Sequence, residues 1–187
     1  GGNVTASGQG QIAFGPEVDT ESVAPVALAG STSGVTDAIL DIAGNVVAQN
    51  GGVVEIHNTG AEVGSVVENG GLIFLTGQYL IADTGGISIK NGIWYDSSLN
   101  PTKGLVISGT NGYTLKSTGA NQDIDVAGGI RVMAATRDGL TLDSANNISV
   151  SGLVDAGGEL NLNANKLVDI KNDATVGGSL YASGTMI

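Results

Sequence analysis

The chain has 187 residues, a formal charge of -11, 31 glycines, three prolines and no cysteine. The absent thiols exclude disulfide frameworks, thiolate zinc sites and cysteine nucleophiles, and the acid excess repels nucleic-acid phosphates and anionic membrane surfaces. Hydrophobic residues reach 41% while aromatics stay at 4%, so any core is aliphatic, and no run approaches the ~18 apolar residues that a membrane helix needs.

Residues 1–14 (GGNVTASGQGQIAF) start without an initiator Met or a signal peptide, as a mature or trimmed piece would. Residues 15–34 (GPEVDTESVAPVALAGSTSG) carry two of the three prolines and several acids, and read as a loop or strand pair outside the regular pattern. Nine acids precede Lys90, the first basic residue: Glu17, Asp19, Glu21, Asp37, Asp41, Glu55, Glu62, Glu68 and Asp83. Carboxylates are the ligands calcium prefers, so this half admits surface calcium. The calcium-binding repeat G-G-x-G-x-D is absent, so the fold requires no metal, and no other cofactor is expected.

Val53-Val54-Glu55-Ile56 is the first clear alternation of apolar and polar residues, the mark of a half-buried strand. It leads into His57, the only histidine. A Ser-His-Asp triad would have to run through it, yet the chain has no G-x-S-x-G elbow. A solvated histidine beside a glycine corner is the simpler reading, and no catalytic residue is assigned.

Five of the seven aromatics fall between residues 74 and 113: Phe74, Tyr79, Trp94, Tyr95 and Tyr113. Aromatic faces stack on sugars and anchor protein interfaces, which makes Tyr79, Trp94, Tyr95 and Tyr113 the candidate ligand-binding residues. The alternative is a cluster that packs an enlarged coil or extra hairpin within residues 76–104, where Pro101 also lies. Beyond it, Ile87-Ser-Ile89, Leu105-Val-Ile107, Ile124-Asp-Val126 and Ile130-Arg-Val132 alternate again. Asp123 and Asp125 flank Ile124, so both carboxylates face one side of a strand. Carboxylate pairs serve glycosidases, but the nearest base is Arg131 and no aromatic lies close by in sequence, so solvated surface acids are the simpler reading.

From residue 139 the pattern becomes periodic. Leu140-Thr-Leu142 returns as Leu160-Asn-Leu162 and Leu180-Tyr-Ala182, and Ile148-Ser-Val150 returns as Val168-Asp-Ile170, each twenty residues on. Gly157-Gly158 and Gly177-Gly178 keep the same interval, as corners with positive φ would. Fixed-interval repetition marks stacked repeat units. The expected fold is all-β: a right-handed parallel β-helix of about twenty residues per coil, with three short strands in each. Residues 1–187 form one block, with 15–34 and 76–104 as insertions and 105–187 as the most regular part.

The segments GLTLDSANNISVSGLVDAGG and GGELNLNANKLVDIKND resemble the repeats of filamentous-haemagglutinin-type exoproteins, the two-partner-secreted adhesins and contact-dependent growth-inhibition effectors of Gram-negative bacteria. The resemblance covers about residues 105–184 most strongly and rests on G-x-L-x-L-x-A with glycine-pair corners. It implies a right-handed β-helix, a secreted or cell-surface location, and a structural or adhesive shaft that displays a surface to host or neighbouring-cell receptors or glycans. Asn100-Pro101 resembles the Asn-Pro motifs of that family's secretion domain, but Thr102-Lys103-Gly104 does not complete the motif. Two other functions fit the same pattern: a filament subunit that self-associates end to end, and a carbohydrate-active β-helix enzyme or phage-type receptor-binding protein.

Overall fold

A computed structural model describes residues 2–15, 39–95, 101–108, 111–133 and 139–186. The expected insertion at 15–34 therefore lies, beyond Gly15, outside the described residues, as does Asn100 of the Asn-Pro pair. The described chain is all-β, without a helix. Its first strands are β1 (Val4–Ser7), β2 (Gln11–Phe14), β3 (Ile39–Gln49), β4 (Val53–Ile56) and β5 (Gly60–Asn69). They are followed by β6 (Leu72–Leu75), β7 (Tyr79–Ala82), β8 (Ile87–Ile89), β9 (Ile93–Tyr95) and β10 (Gly104–Ile107). Then come β11 (Tyr113–Ser117), β12 (Ile124–Val126), β13 (Ile130–Val132), β14 (Leu140–Ser144) and β15 (Asn147–Val150). The last are β16 (Val154–Ala156), β17 (Glu159–Ile170), β18 (Ala174–Val176) and β19 (Ser179–Met186).

Their pairing overturns the expected right-handed parallel β-helix. Parallel hydrogen bonding runs β5–β7–β11–β14–β17–β15–β12–β8 and returns to β5, closing eight strands into a barrel. β3, with β1 beyond it, and β19 attach outside this ring. The barrel with its attached strands is sheet A; the second sheet, sheet B, is open and parallel, in the order β2–β4–β6–β10–β9–β13–β16–β18. The cause lies in two long strands. β5 pairs with β7 through Gly60–Val63 and with β8 through Val66–Glu68. β17 pairs with β14 through its first half and with β15 through its second. Where the sequence pattern suggested separate strands around each corner, these two run on as single strands that change partner part-way and so join two ladders into one closed sheet.

The twenty-residue spacing does set the register. Leu140 lies opposite Leu160 and Leu160 opposite Leu180, while Ile148 lies opposite Val168. One inward row runs Leu40, Ala61, Leu80, Leu115, Leu142, Leu162, Ala182, and its middle five members are fully buried. Inward residues of both sheets form one aliphatic cluster. Alternation explains this: successive side chains leave opposite faces of a strand, so an apolar-polar-apolar triplet buries its outer pair.

The glycine pairs divide into two kinds. Gly51 and Gly70 adopt φ of +87° and +78°, the left-handed region that other residues avoid. Gly178 has no such φ, correcting the expectation of positive-φ corners there. A Cβ on Gly178 would instead run into the Gly158 carbonyl, so close approach of backbones demands glycine.

The enlarged coil or extra hairpin expected within 76–104 falls partly, at 96–100, outside the described residues. β10 follows β9 in the chain but inserts between β6 and β9, pairing with both in parallel. Its first residue, Gly104, has φ +105°, and a Cβ there would collide with the Trp94 ring.

Candidate functional site

A cleft of about 550 Å³ opens on the outer face of sheet A. Its floor is Gly85-Gly86, in the turn between β7 and β8. The absence of side chains is enforced on both sides: a Cβ on Gly85 would lie 2.5 Å from Cβ of Ser65, and one on Gly86 2.5 Å from the Asp123 carbonyl oxygen. Gly85 is held by its N–H, which donates to the Gly64 carbonyl at 2.7 Å. The outward row Asn45–Ser65, read through the pairing of Val66 with Ile87 and of Ile87 with Ile124, reaches Gly86 and then Asp123. Gly86 is the one position of this polar row without a side chain, and the neighbouring backbone closes in on it.

One wall holds Asn45 and Ser65, and the Ser65 hydroxyl donates to Asn45 Oδ1 at 2.7 Å. The opposite wall holds Gln122, Asp123 and Asp125. Asp123 Oδ1 accepts from Asn146 Nδ2 at 2.6 Å, from the Asn147 backbone N–H at 3.1 Å and from Asn147 Nδ2 at 3.1 Å. That carboxylate is anchored as an acceptor by three donors. Asp125 projects from β12 on the same outer face, beside Ser88 of β8. The two acids do share one face, as alternation implied.

No lysine, arginine or histidine lines the cleft. Amides, hydroxyls and carboxylates both accept and, the carboxylates aside, donate, which suits a ligand rich in hydroxyls. Two carboxylates and no cation disfavour an anionic ligand and favour a neutral or amine-bearing one.

The aromatic residues do not assemble into one surface. Tyr95 and Tyr113 point inward and are 1% and 3% exposed. Burial first, and then the neighbouring Tyr95, push the Tyr113 hydroxyl well above the usual phenol range. Tyr79 is half-buried on sheet A, where its ring fills the place a side chain at Gly60 would take. Trp94 is half-buried on sheet B, laid over Gly104. Phe74 lies on the same outward row as Trp94, with Val106 between them at 4% exposure. These rings act mainly as covers over glycine or as core.

His57 directly follows β4 of sheet B, whereas the Asp123 wall belongs to sheet A. His57 Nε2 lies 3.0 Å from Glu55 Oε2, and its ring packs on Phe74 at 5.8 Å between centroids. The acidic half brings Asp41 opposite Glu62 across β3 and β5, but no group of three or more His, Asp or Glu residues suited to a metal assembles among the described residues. Glu17, Asp19, Glu21 and Asp37 lie outside the described residues.

The sequence alone missed this cleft. Its signal was available in hindsight as the glycine pair Gly85-Gly86 facing polar positions on both neighbouring strands. Without the partner assignment, that pair looked like every other glycine corner. Comparison with known protein families, with characterised proteins and with solved structures returned no match.

Proposed function

We propose that this chain is a structural and adhesive segment of a larger bacterial surface exoprotein, and that the sheet A cleft is where it binds neutral or amine-bearing glycans of a host or neighbouring cell. The observation that carries the reading is the cleft itself: a glycine floor between two walls of amide, hydroxyl and carboxylate side chains, on a frame of parallel strands. Such a frame suits display, because a fully paired, aliphatic interior leaves the outer face free to vary. The secreted setting is supported by the resemblance of residues 105–184 to exoprotein repeats.

A hydrolytic role for Asp123 and Asp125 has less support. Three N–H donors already engage Asp123 Oδ1, and no aromatic side chain lines the cleft to stack on a sugar ring.

The test is a glycan panel probed with the wild-type chain, with Ser88→Leu, which blocks the cleft wall, and with Trp94→Ala, which alters the other outer face. Binding lost in Ser88→Leu and kept in Trp94→Ala, with circular dichroism unchanged, supports the cleft. Binding lost only in Trp94→Ala moves the site to sheet B. Absence of binding in all three removes the adhesive reading and leaves a passive scaffold.

A further inference from the structure

The two carboxylates of the sheet A cleft differ in what already holds them. Asp123 Oδ1 accepts from three N–H groups of Asn146 and Asn147, so that oxygen is spent on the protein's own donors. Asp125, exposed on the same outer face, accepts no hydrogen bond and joins no ion pair among the described residues. Its neighbours in the outward row are two hydroxyls, Ser88 of β8 and Ser149 of β15. Ser88 is exposed and borders the cleft, whereas the Ser149 hydroxyl is buried without a hydrogen-bond partner, so neither engages Asp125. Beyond Ser149, Asp169 lies 3.6 Å from Lys171, which matches that lysine to another acid.

With no aromatic ring in the cleft, stacking supplies no affinity there, and polar and charged contacts have to carry it. We propose that Asp125 selects a ligand bearing a protonated amine, with the Ser88 hydroxyl accepting from the same group. The inference rests on the cleft as the glycan site, and it narrows the ligand to glycans with free amino groups. An ammonium has three N–H donors and no acceptor, so it pairs with carboxylate and hydroxyl oxygens. Acetylation leaves one N–H and removes the charge, which keeps a hydrogen bond and loses the ion pair.

The two walls then have separate tasks. Asn45 keeps its Nδ2 donors while its Oδ1 accepts from Ser65, and Gln122 both donates and accepts, so these residues meet sugar hydroxyls. Asp125 meets the charge. A divalent cation is a poorer occupant, because calcium takes about 6–8 oxygen ligands and no group of three or more His, Asp or Glu residues suited to a metal assembles among the described residues.

The experiment compares two probes that differ only at nitrogen: glucosamine oligomers with free amines, and the same oligomers N-acetylated. Both are titrated calorimetrically against the full chain in weakly acidic buffer, where the amine is protonated. The free-amine oligomer is expected to bind roughly fivefold tighter, the size of a part-exposed ion pair, and the advantage should shrink as salt rises. Asp125→Asn, with Asp125→Ser as a second variant, should erase the advantage and leave circular dichroism unchanged, since Asp125 has no partner to lose. Asp125→Glu keeps the charge and should retain part of it. Equal binding of the two oligomers by wild type, or an advantage that survives in Asp125→Asn, would overturn the proposal; if Ser88→Leu still abolishes binding of both, the cleft remains the glycan site. Binding of neither oligomer also overturns it, and the glycan panel then decides the cleft reading on its own.

Discussion

Residues 139–170 and residues 72–107 are built from the same short apolar triplets, yet they assemble differently. In the first region, chain order and spatial order agree: each strand pairs with the one twenty residues away, Leu140 to Leu160 and Ile148 to Val168. In the second, β10 leaves chain order and lies between β6 and β9. Repetition at equal spacing specifies a partner because a slip of one residue would turn every aliphatic side chain outward. Where spacing is uneven, local fit decides instead, and here the fit is a tryptophan laid over a glycine.

The largest expected effect tests whether the two regions are equally well packed. Leu142 and Leu105 are both fully buried, and truncating either to Ala costs about 2–5 kcal/mol by lost burial and the cavity left behind. Urea unfolding of Leu142→Ala and Leu105→Ala should give similar losses. A much smaller loss for Leu105→Ala would mean that the inserted strand is only loosely part of the core.

Next comes Glu68, the one buried carboxylate among the described residues, at 1% exposure. Its oxygens accept from the Gly70 N–H at 2.7 Å and the Asn91 N–H at 2.8 Å, tying the turn after β5 to the turn after β8. Glu68→Ala leaves both donors unpaired and should cost about 3 kcal/mol. Hydrogen exchange should then quicken at Gly70 and Asn91 while Leu160 and Val168 stay protected.

A smaller effect probes the glycine–tryptophan contact directly. Gly104→Ala combines a positive φ with a collision against the Trp94 ring, and roughly 1–3 kcal/mol is expected. In a Trp94→Ala background the collision with the ring disappears while the 2.8 Å approach to the Gly92 carbonyl oxygen remains, so a double-mutant cycle should show coupling. Additive costs would refute the contact as the device that seats β10.

The smallest effect is expected from the Lys116–Asp143 ion pair, 2.7 Å long and more than a third exposed on both sides. It links β11 to β14 on the outer face, and Lys116→Ala should change stability by no more than about 1 kcal/mol and less at high salt.

How far the sequence could be read follows from these residues. The triplets at 140, 148, 160 and 168 announced both their burial and their partners, because apolar alternation and equal spacing are local properties. The closure of sheet A was not legible: the points inside β5 and β17 where the partner changes carry no proline and look like the turns elsewhere. Glu68, in VVENGG, reads as a solvated acid at a strand end and is in fact enclosed. The aromatic cluster at 74–113 divides in space into an inward pair, Tyr95 and Tyr113, an outward row holding Phe74 and Trp94, and Tyr79 on the other outer face.

The sequence by itself determined an all-β chain with an aliphatic interior and a twenty-residue register along its C-terminal part. Those properties follow from side-chain alternation along single strands. Tertiary structure alone decided that two ladders fuse into a closed sheet, that β10 enters out of order, and that a bare glycine pair becomes the floor of a polar cleft. Each of those depends on which strand lies alongside, and a neighbour is chosen by the packing of the whole rather than by any one segment.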